Sequence, residues 1–292
     1  MKIYILGITG MLGSKLFLEF LKKKYKVRGS ARFINKKFNK YNSHIDLITD
    51  VYDLDKLKKK IKIFKPKIII NCVGIIKQKI NKIDEKDIFY VNSIFPHELY
   101  KISVTVNAKL IHFSTDCVFD GKVGNYNEKH APNAHDVYGF SKRLGEINYK
   151  NSITLRTSII GHEIKGKYSL LEWFLNQKKN CEGYSKAYFS GLPTIEIFDF
   201  LEKYILKNKK ISGLYNLSST KISKFNLLKL IAKIYGKKIK IIKNKDFKID
   251  RSLNSKKLKK ITSYKSPSWQ KLVKKMFNNY NNANQIEKNF YV

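Results

Sequence analysis

With 43% hydrophobic and 13% aromatic side chains, the 292-residue chain can bury the core of one large α/β domain or of two unequal lobes, which excludes disorder as its default state. The formal net charge is +36, but the basic residues are almost all lysines spread over every segment, so we interpret the charge as compositional bias and expect no nucleic-acid partner. No apolar run reaches the length of about eighteen residues that a transmembrane helix needs, and the three scattered cysteines (Cys72, Cys117, Cys181) favour a reducing cytoplasm over a disulfide framework or zinc site, so neither membrane insertion nor a metal is expected.

Short apolar runs alternate with amphipathic stretches through the first half of the chain. The predicted strands cover residues 3–6, 25–29, 45–47, 68–72, 110–114 and 153–157. The predicted helices between them cover residues 11–23, 52–64, 88–102 and 137–149. Strands and helices in repeated alternation predict an α/β fold, a Rossmann-type doubly wound parallel sheet, which we assign to residues 1–161.

The second half of the chain is less regular and predicts a smaller C-terminal α/β substrate lobe, residues 162–292. Helices are predicted at 170–178, 195–206 and 225–235, and strands at 184–189, 213–217 and 239–242. Part of 191–217 is expected to return to the first domain. The asparagine-rich tail from residue 278 is expected to fray.

A glycine-rich turn follows the first predicted strand. Glycines at this point permit a tight turn, a close approach of the backbone to a pyrophosphate, and close packing of helix on strand. The helix that follows offers unpaired N–H groups to the anion. The spacing is G-x-x-G-x-x-G, and the residues expected to contact a dinucleotide here are Gly7, Thr9, Gly10, Met11, Leu12 and Gly13.

The end of the second strand indicates which dinucleotide is bound. A carboxylate there would accept a hydrogen bond from the ribose 2′-hydroxyl, whereas an arginine would pair with a 2′-phosphate. This strand is followed by Ser30 and Arg32 with no carboxylate, which favours NADPH, with NADH as the alternative. Asp50 and Val51, after the third strand, are expected near the adenine.

A hydroxyl-bearing strand end and a Tyr/Lys pair carry the chemistry. Ser114 and Thr115 end the fifth strand, and Tyr138 and Lys142 lie four residues apart on one helix face. A nearby ammonium is expected to lower the pKa of Tyr138, so that this residue donates a proton to a carbonyl oxygen as hydride arrives at its carbon. Thr115 is expected to hold the same oxygen.

The motifs together resemble the extended short-chain dehydrogenase/reductase superfamily and, within it, the dTDP-4-dehydrorhamnose reductase branch. The likeness covers most of residues 1–270 and rests on segments 114–121 (STDCVFDG), 138–146 (YGFSKRLGE), 155–158 (LRTS) and 191–194 (GLPT). It implies NADPH-dependent reduction of the C4 ketone of a nucleotide-activated 4-keto-6-deoxy sugar for surface polysaccharide synthesis. It also implies Thr115, Tyr138 and Lys142 as the catalytic set.

The resemblance further implies which residues shape the two ligand sites. The cofactor site would include Asn71, Cys72, Val73, Gly74 and Asn92. The substrate site would include Ser114, Cys117, Trp173 and Arg251. A nucleotide sugar is therefore the expected substrate, and a homodimer remains an open alternative to a monomer.

Two departures from the branch bear on the substrate. Position 117 is Cys where dehydrorhamnose reductases usually carry Tyr, and residues 75–78 (IIKQ) also differ from the rhamnose pattern. Both features resemble relatives that reduce UDP-linked 2-acetamido-2,6-dideoxy-4-ketohexoses. Sugar-nucleotide dehydratases have a similar segment, S-T-D-E, at the positions that correspond to 114–117, and their Asp-Glu pair expels water. Cys117 replaces that glutamate here and argues against elimination of water. A C4 epimerase and a non-enzymatic, NADP-binding regulatory subunit remain alternatives.

Overall fold

A parallel seven-stranded sheet forms the centre of the structure, a computed structural model that describes residues 1–34, 36–164, 166–208 and 210–283. The strands in chain order are β1 (Lys2–Leu6), β2 (Lys26–Ala31), β3 (Ile45–Leu47), β4 (Ile68–Asn71), β5 (Lys109–Ser114), β6 (Ser152–Arg156), β7 (Ile159–Ile160), β8 (Asn180–Phe189), β9 (Leu192–Pro193), β10 (Gly213–Asn216), β11 (Ile222–Ser223) and β12 (Lys240–Asp250). The central sheet has the order β10-β6-β5-β4-β1-β2-β3, and every neighbouring pair is parallel. The strand order reverses between β1 and β4, where doubly wound sheets bind their ligands. The predicted Rossmann-type fold is confirmed.

Helices cover both faces of this sheet. They are α1 (Met11–Lys22), α2 (Leu54–Phe64), α3 (Glu85–Phe89), α4 (Phe95–Thr105), α5 (Val137–Leu144), α6 (Leu170–Leu175), α7 (Thr194–Phe200), α8 (Lys224–Tyr235), α9 (Lys256–Thr262) and α10 (Trp269–Asn281). Shorter 3-10 segments are Lys36–His44, Lys77–Lys82 and Asp116–Val118, and π turns are Tyr90–Ile94 and Leu201–Ile205. Within the described residues, no helix combines the length and the hydrophobicity needed to cross a membrane.

The first strand illustrates why the sheet is buried on both faces. Successive side chains of a strand point to opposite faces. Ile3 and Ile5 accordingly join one apolar cluster, while Tyr4 and Leu6 join the other, and all four are at most 2% exposed. An apolar run without alternation is the pattern that a parallel sheet with helices on both sides requires.

The second half of the chain adds a three-stranded sheet with the order β11-β8-β12 and a short parallel pair, β7 and β9. Its apolar side chains belong to the same cluster as those beneath the central sheet. Leu228 of α8 and Leu272 of α10, for example, share a cluster with Phe17 of α1 and Ile5 of β1. The division of the chain at residue 161 stays a prediction, although β10 does lie in the central sheet beside β6.

Several predicted boundaries differ from the structure for physical reasons. Helix α5 ends at Leu144 and not at residue 149, and β2 continues to Ala31. Strand β12 runs to Asp250, well past the predicted residue 242, because its polar residues pair with β8 although most are solvent-exposed. The expected fraying from residue 278 is wrong as far as Asn281, where α10 ends, and residues 284–292 lie outside the described part of the chain.

Candidate active site

The glycine-rich turn lies at the carboxyl end of β1 and has the geometry of an anion cradle. Gly7 adopts a φ of +78°, and its N–H donates to the carbonyl oxygen of Ser30 over 3.1 Å. A Cβ on Gly13 would lie 2.2 Å from the Gly7 oxygen, so only glycine permits this approach of helix to strand. The N-cap of α1 is Gly10, which has no side chain to occupy the first N–H groups of the helix.

The predicted cofactor residues of this turn divide into two groups. Thr9, Gly10 and Met11 are solvent-accessible at the rim of the turn. Leu12 is 6% exposed and packs in the apolar core, so its side chain supports the helix. The glycine spacing alone could not distinguish Leu12, whose side chain lies in the core, from the residues at the rim of the turn.

The residues expected to select the dinucleotide lie beyond the turn. Ser30 is buried within β2, and Arg32 is exposed immediately after the strand ends. Arg28 is committed elsewhere, since it pairs with Asp46 over 3.4 Å and donates to the carbonyl oxygen of Ser43. Arg32 is thus the arginine left at the carboxyl end of β2.

Asp50 and Val51 follow β3 on the same side of the sheet. Asp50 is exposed and accepts a hydrogen bond from the N–H of Tyr52 over 2.8 Å. Val51 is half-buried against the second apolar cluster. Tyr52 stacks on Tyr90, with ring centroids 3.8 Å apart, beside these two residues.

The segment after β4 is fixed by two asparagines. Asn71 is 1% exposed, and its Oδ1 accepts from the N–H of Val73 over 3.0 Å. Asn92 lies in a π turn, accepts from the N–H of Ile75 over 2.9 Å, and donates to the hydroxyl of Ser141 in α5 over 3.2 Å. Asn92 therefore couples the loop after β4 to the helix of the Tyr/Lys pair.

Cys72 and Gly74 complete this loop. A Cβ on Gly7 would lie 3.0 Å from the backbone of Cys72, so the two loops approach closely. A Cβ on Gly74 would lie 3.4 Å from the Asn92 Oδ1 and 3.9 Å from the Lys142 Nζ, so this loop lies next to both side chains. Burial raises the pKa of the Cys72 thiol, which favours its protonated form.

Helix α5 brings Tyr138 to Thr115. Asp136 caps the helix by accepting from the N–H of Gly139 over 3.0 Å. A Cβ on Gly139 would lie 2.3 Å from the carbonyl oxygen of Cys117, so glycine is required for α5 to reach the end of β5. The Thr115 hydroxyl donates to the Asp116 Oδ1 over 3.2 Å, accepts from the Cys117 N–H over 3.1 Å, and influences the pKa of Tyr138.

Lys142 lies one helical turn farther along α5 and is 6% exposed. Its Nζ donates to the carbonyl oxygen of Phe113 over 2.9 Å. Burial lowers the pKa of Lys142 to about 8, and the charge of Glu146 opposes that shift. The side chain therefore remains mainly protonated at pH 7.

The pKa of Tyr138 is raised, whereas the sequence led us to expect that Lys142 lowers it. Burial is the largest cause and the charge of Cys117 adds to it, while the hydrogen bond with Thr115 opposes it. The Lys142 ammonium is bonded to the Phe113 carbonyl. Tyr138 is thus held in its protonated form, the form that a proton donor needs.

Charged side chains from both halves of the molecule surround Cys117. The Arg251 Nη1 lies 3.8 Å from the Cys117 Sγ, and the Arg251 Nε donates to the Phe119 carbonyl oxygen over 2.7 Å. Burial lowers the pKa of Lys224, and its charge couples to those of Asp116, Cys117 and Arg251. Burial, followed by the charge of Asp116, raises the pKa of Cys117 to about 12.

Lys77 approaches the same place from the segment after β4. Its Nζ pairs with Asp136 over 3.1 Å, and its charge also acts on Cys117. Sequence reasoning missed Lys224 and assigned no role to Lys77, because nothing in a lysine-rich chain distinguishes a lysine that converges on a cleft from one in solvent. Lys224 is identified only by the fold, which places the start of α8 where the lysine charge couples to Asp116 and Cys117.

Two predicted substrate residues have other surroundings. The Ser114 hydroxyl is buried and donates to the Glu146 Oε1 over 2.7 Å. The Trp173 side chain, on α6, is 38% exposed, and none of the described contacts links it to Thr115, Tyr138 or Lys142. The structure thus brings Thr115, Tyr138, Lys142, Cys117 and Arg251 together but does not join Ser114 or Trp173 to them.

Comparisons with known proteins identify a matching family and several similar chains. A family model described as the RmlD substrate binding domain matches residues 1–282. A dTDP-4-dehydrorhamnose reductase of Aggregatibacter actinomycetemcomitans is 33% identical over 114 residues, which are 37% of this chain and 39% of that protein. The methionine adenosyltransferase 2 subunit beta of Xenopus tropicalis is 27% identical over 165 residues, which are 55% of this chain and 47% of that protein. The matched regions thus span about half, or less, of the length of these curated relatives.

A solved structure extends the likeness to the whole fold. The dTDP-4-dehydrorhamnose reductase of Bacillus anthracis, crystallised with NADP, superposes with a TM-score of 0.77 at 22% identity, and the match covers 95% of this chain and 99% of that one. At this identity the likeness shows the fold alone, and the chemistry has to be argued from the site.

Proposed function

Because this chain belongs to the family of the RmlD substrate binding domain, we propose that it reduces the C4 ketone of a nucleotide-activated 4-keto-6-deoxy sugar with NADPH. The observation that carries the proposal is that α5, capped by Asp136, brings a protonated Tyr138 and the buried Lys142 ammonium to the end of β5, where Thr115 lies. A reductase needs a proton donor and an anchor for the ketone oxygen, and these side chains supply both.

The described residues fit a dinucleotide. The uncapped N–H groups of α1, the positive φ of Gly7 and the approach of Gly13 to Gly7, which a Cβ on Gly13 would prevent, form a cradle for the pyrophosphate. Exposed Arg32, with no carboxylate among residues 31–34, suits a 2′-phosphate and supports NADPH over NADH. When bound, the nicotinamide supplies the hydride.

The chain's own side chains then supply the remaining steps. Thr115 would donate a hydrogen bond to the ketone oxygen and orient it. Tyr138 would transfer its hydroxyl proton to that oxygen as the C4 carbon is reduced, which converts C=O to CH–OH and leaves a phenolate. The Lys142 ammonium, one helical turn away, would stabilise that phenolate until solvent returns the proton.

Cations that converge on Cys117 support a nucleotide sugar as substrate. Arg251 and Lys224 come from the C-terminal half of the chain, and Lys77 comes from the segment after β4. A diphosphate linkage carries charges that such cations neutralise. Cys117 supplies no carboxylate, so the site lacks the acid/base group that expulsion of water would require, and reduction is favoured over dehydration.

The test is NADPH consumption with dTDP- and UDP-linked 4-keto-6-deoxy sugars, generated by a separate 4,6-dehydratase. We expect the absorbance of NADPH to fall only after the dehydratase has produced the ketone. The matched control supplies dTDP-glucose and UDP-N-acetylglucosamine without the dehydratase. Formation of a ketone from the plain hexose by this protein alone would contradict the reductase proposal.

A second candidate function is regulation of a partner enzyme, because one matched relative is named as a subunit of methionine adenosyltransferase. Retention of Tyr138 and Lys142 in a connected site favours the reductase. The discriminating result is NADPH binding without consumption against every ketosugar, together with a change in the activity of a methionine adenosyltransferase on mixing.

A further inference from the structure

A buried ion pair lies at the C-terminal end of α5, the helix that carries Tyr138 and Lys142. Glu146 follows α5, and its two carboxylate oxygens accept from the Arg156 Nε over 2.7 Å and the Arg156 Nη2 over 2.6 Å. Both side chains are at most 8% exposed. An ion pair removed from water in this way stabilises a fold little compared with apolar residues of the same shape, so its presence invites a functional explanation.

The pair is attached to the strand that holds Lys142. Ser114 donates to the Glu146 Oε1 over 2.7 Å, and the neighbouring Phe113 supplies the carbonyl that accepts from Lys142. Ser114 and Arg156 are register partners in β5 and β6, so they hold one carboxylate from adjacent strands. Glu146 therefore ties the end of α5 to the same strand end that anchors the lysine.

We propose, on the basis of the reductase function above, that Glu146 is a positioning residue that holds the Lys142 ammonium in place as its buried countercharge. Glu146 lies just beyond the end of α5, and its partner Ser114 is adjacent in sequence to Phe113, whose carbonyl holds Lys142, so the carboxylate and the ammonium are bound at the same strand end. Its charge acts against the burial that disfavours the protonated lysine. Ser114 and Arg156 fix where that charge lies.

The other titratable groups that face Lys142 do not supply such a countercharge. Cys72, on the loop after β4, stays a protonated thiol because burial raises its pKa. Burial also holds the pKa of His112, on β5, well below its usual value, so the imidazole is neutral. Tyr138, on the same helix, is protonated as well. Among these neighbours, Glu146 is the one whose charge at neutral pH favours the ammonium.

Neutral substitutions of Glu146 and of Arg156 should shift the pH dependence of turnover in opposite directions. Turnover should fall on the alkaline side as Lys142 loses its proton, near pH 8 in the parent. Glu146→Gln removes the negative charge and should move this midpoint to lower pH by about one unit, the scale of a charge at an effective dielectric of about 20. Arg156→Gln removes the opposing positive charge and should move the midpoint to higher pH.

Two further variants separate charge from packing. Glu146→Asp keeps the charge but shortens the side chain, so turnover should fall while the midpoint stays within about 0.3 units of the parent, which is small beside the one-unit charge effect. Glu98→Gln is the matched control, since it removes a carboxylate that pairs with Lys101 on the surface of α4. It should leave the midpoint unchanged.

The experiment measures kcat against pH with NADPH and the dehydratase-generated ketosugar, and melting temperature for each variant. Opposite shifts for Glu146→Gln and Arg156→Gln support the proposal, and Arg156→Gln alone tests it if Glu146→Gln does not fold. Lower melting temperatures with a common, unmoved midpoint would overturn it in favour of a merely structural ion pair. Absence of turnover in the parent would contradict the reductase function alone, and the same comparison would then be made on the pH dependence of NADPH affinity.

Discussion

Burial favours the neutral form of both Tyr138 and Lys142, but the neutral tyrosine keeps its proton whereas the neutral lysine has lost one. Burial keeps the proton on Tyr138, which suits a donor, but it works against the proton on Lys142. The chain keeps the lysine charged by giving it the Phe113 carbonyl and a nearby carboxylate. Residues in such unfavourable surroundings are expected at sites where function outweighs stability.

Tyr138→Phe tests the proton donor. The phenyl ring keeps the packing of α5, so the fold and NADPH affinity should persist while turnover falls by about two to four orders of magnitude, the usual contribution of general acid catalysis. The measurement is kcat with the ketosugar substrate, accompanied by melting temperature and NADPH affinity. Turnover within threefold of the parent would exclude Tyr138 as the donor.

Lys142→Met tests the energetic cost of the buried ammonium. The folded-state pKa of about 8 lies below the ordinary value of 10.5, so the folded protein binds fewer protons than the unfolded chain between these values. The free energy of unfolding of the parent should therefore rise with pH across that interval, and the full penalty is present below pH 8. Methionine removes the penalty, and we expect the variant to be more stable at pH 7 by about 1–3 kcal/mol, although inactive.

Chemical denaturation of the cofactor-free protein at pH 7 and pH 10 measures this effect. The difference in stability between parent and Lys142→Met should shrink at pH 10. A variant less stable than the parent at pH 7 would show that the hydrogen bond to Phe113 outweighs the desolvation of the ammonium.

Arg32→Ala tests selection of the dinucleotide. Loss of a charge-assisted contact should weaken NADPH binding by about 1–3 kcal/mol and leave NADH nearly unchanged. Arg28→Ala is the matched control, because Arg28 is held by Asp46 and Ser43 and should not alter the preference. Titration of each dinucleotide measures both constants, and equal losses for the two would exclude Arg32 from the 2′-phosphate.

At the scale of elements, short helices are defined as much by what stops them as by their propensity. Helix α5 begins at the Asp136 cap and ends at Gly145, where a Cβ would lie 1.9 Å from the carbonyl oxygen of Asn92. The π turn that carries Asn92 therefore lies directly against the end of the catalytic helix. One turn links the loop after β4, the proposed cofactor site and the Tyr/Lys pair.

Gly145→Ala should disturb both stability and cofactor binding. The added methyl cannot be accommodated without moving Asn92, and overpacking of this kind costs about 1–3 kcal/mol. Gly10→Ala is the comparison for stability, since its Cβ would meet the nearest atom at 3.4 Å. Thermal unfolding without cofactor should show a larger loss for Gly145→Ala, and a loss equal to that of Gly10→Ala would contradict the close contact.

Elements with a continuous or periodic apolar pattern could be predicted from the sequence, and elements without such a pattern could not. The run Ile3–Leu6 contains no charged side chain on either face, and its burial on both faces follows from that pattern. Strand β12 carries exposed lysines over most of its length, so backbone pairing with β8 leaves no signal in side-chain type. The Tyr/Lys pair was found because four residues make one helical turn, whereas Lys224 comes from a helix distant in sequence.

At the scale of the whole molecule, the net charge of +36 does not locate a ligand site, but the cations that act on Cys117 do suggest one. Most lysines are solvated, whereas Lys224 is half-buried and its charge couples to those of Arg251 and Asp116. Two cations, Lys224 and Arg251, near the proposed reactive groups are the feature that would attract a diphosphate.

Lys224→Met should weaken UDP binding. Removing one charge-assisted contact should raise the dissociation constant by an amount equivalent to about 1–3 kcal/mol. Lys233→Met, an exposed position on the same helix, is the matched control and should change little. Calorimetric titration with UDP measures both, and equal dissociation constants for the two variants would exclude Lys224 from the nucleotide site.

The route of the chain between the two sheets limits how this protein could be recombined with its relatives. After β6 the backbone enters the small sheet at β8, returns to the central sheet at β10, and leaves it again for β11 and β12. A chimaera made by a single crossover near residue 161 would thus exchange β10, an edge strand of the host sheet, together with the donor lobe. Swapping substrate specificity as a module would require two separate grafts that leave β10 with β6.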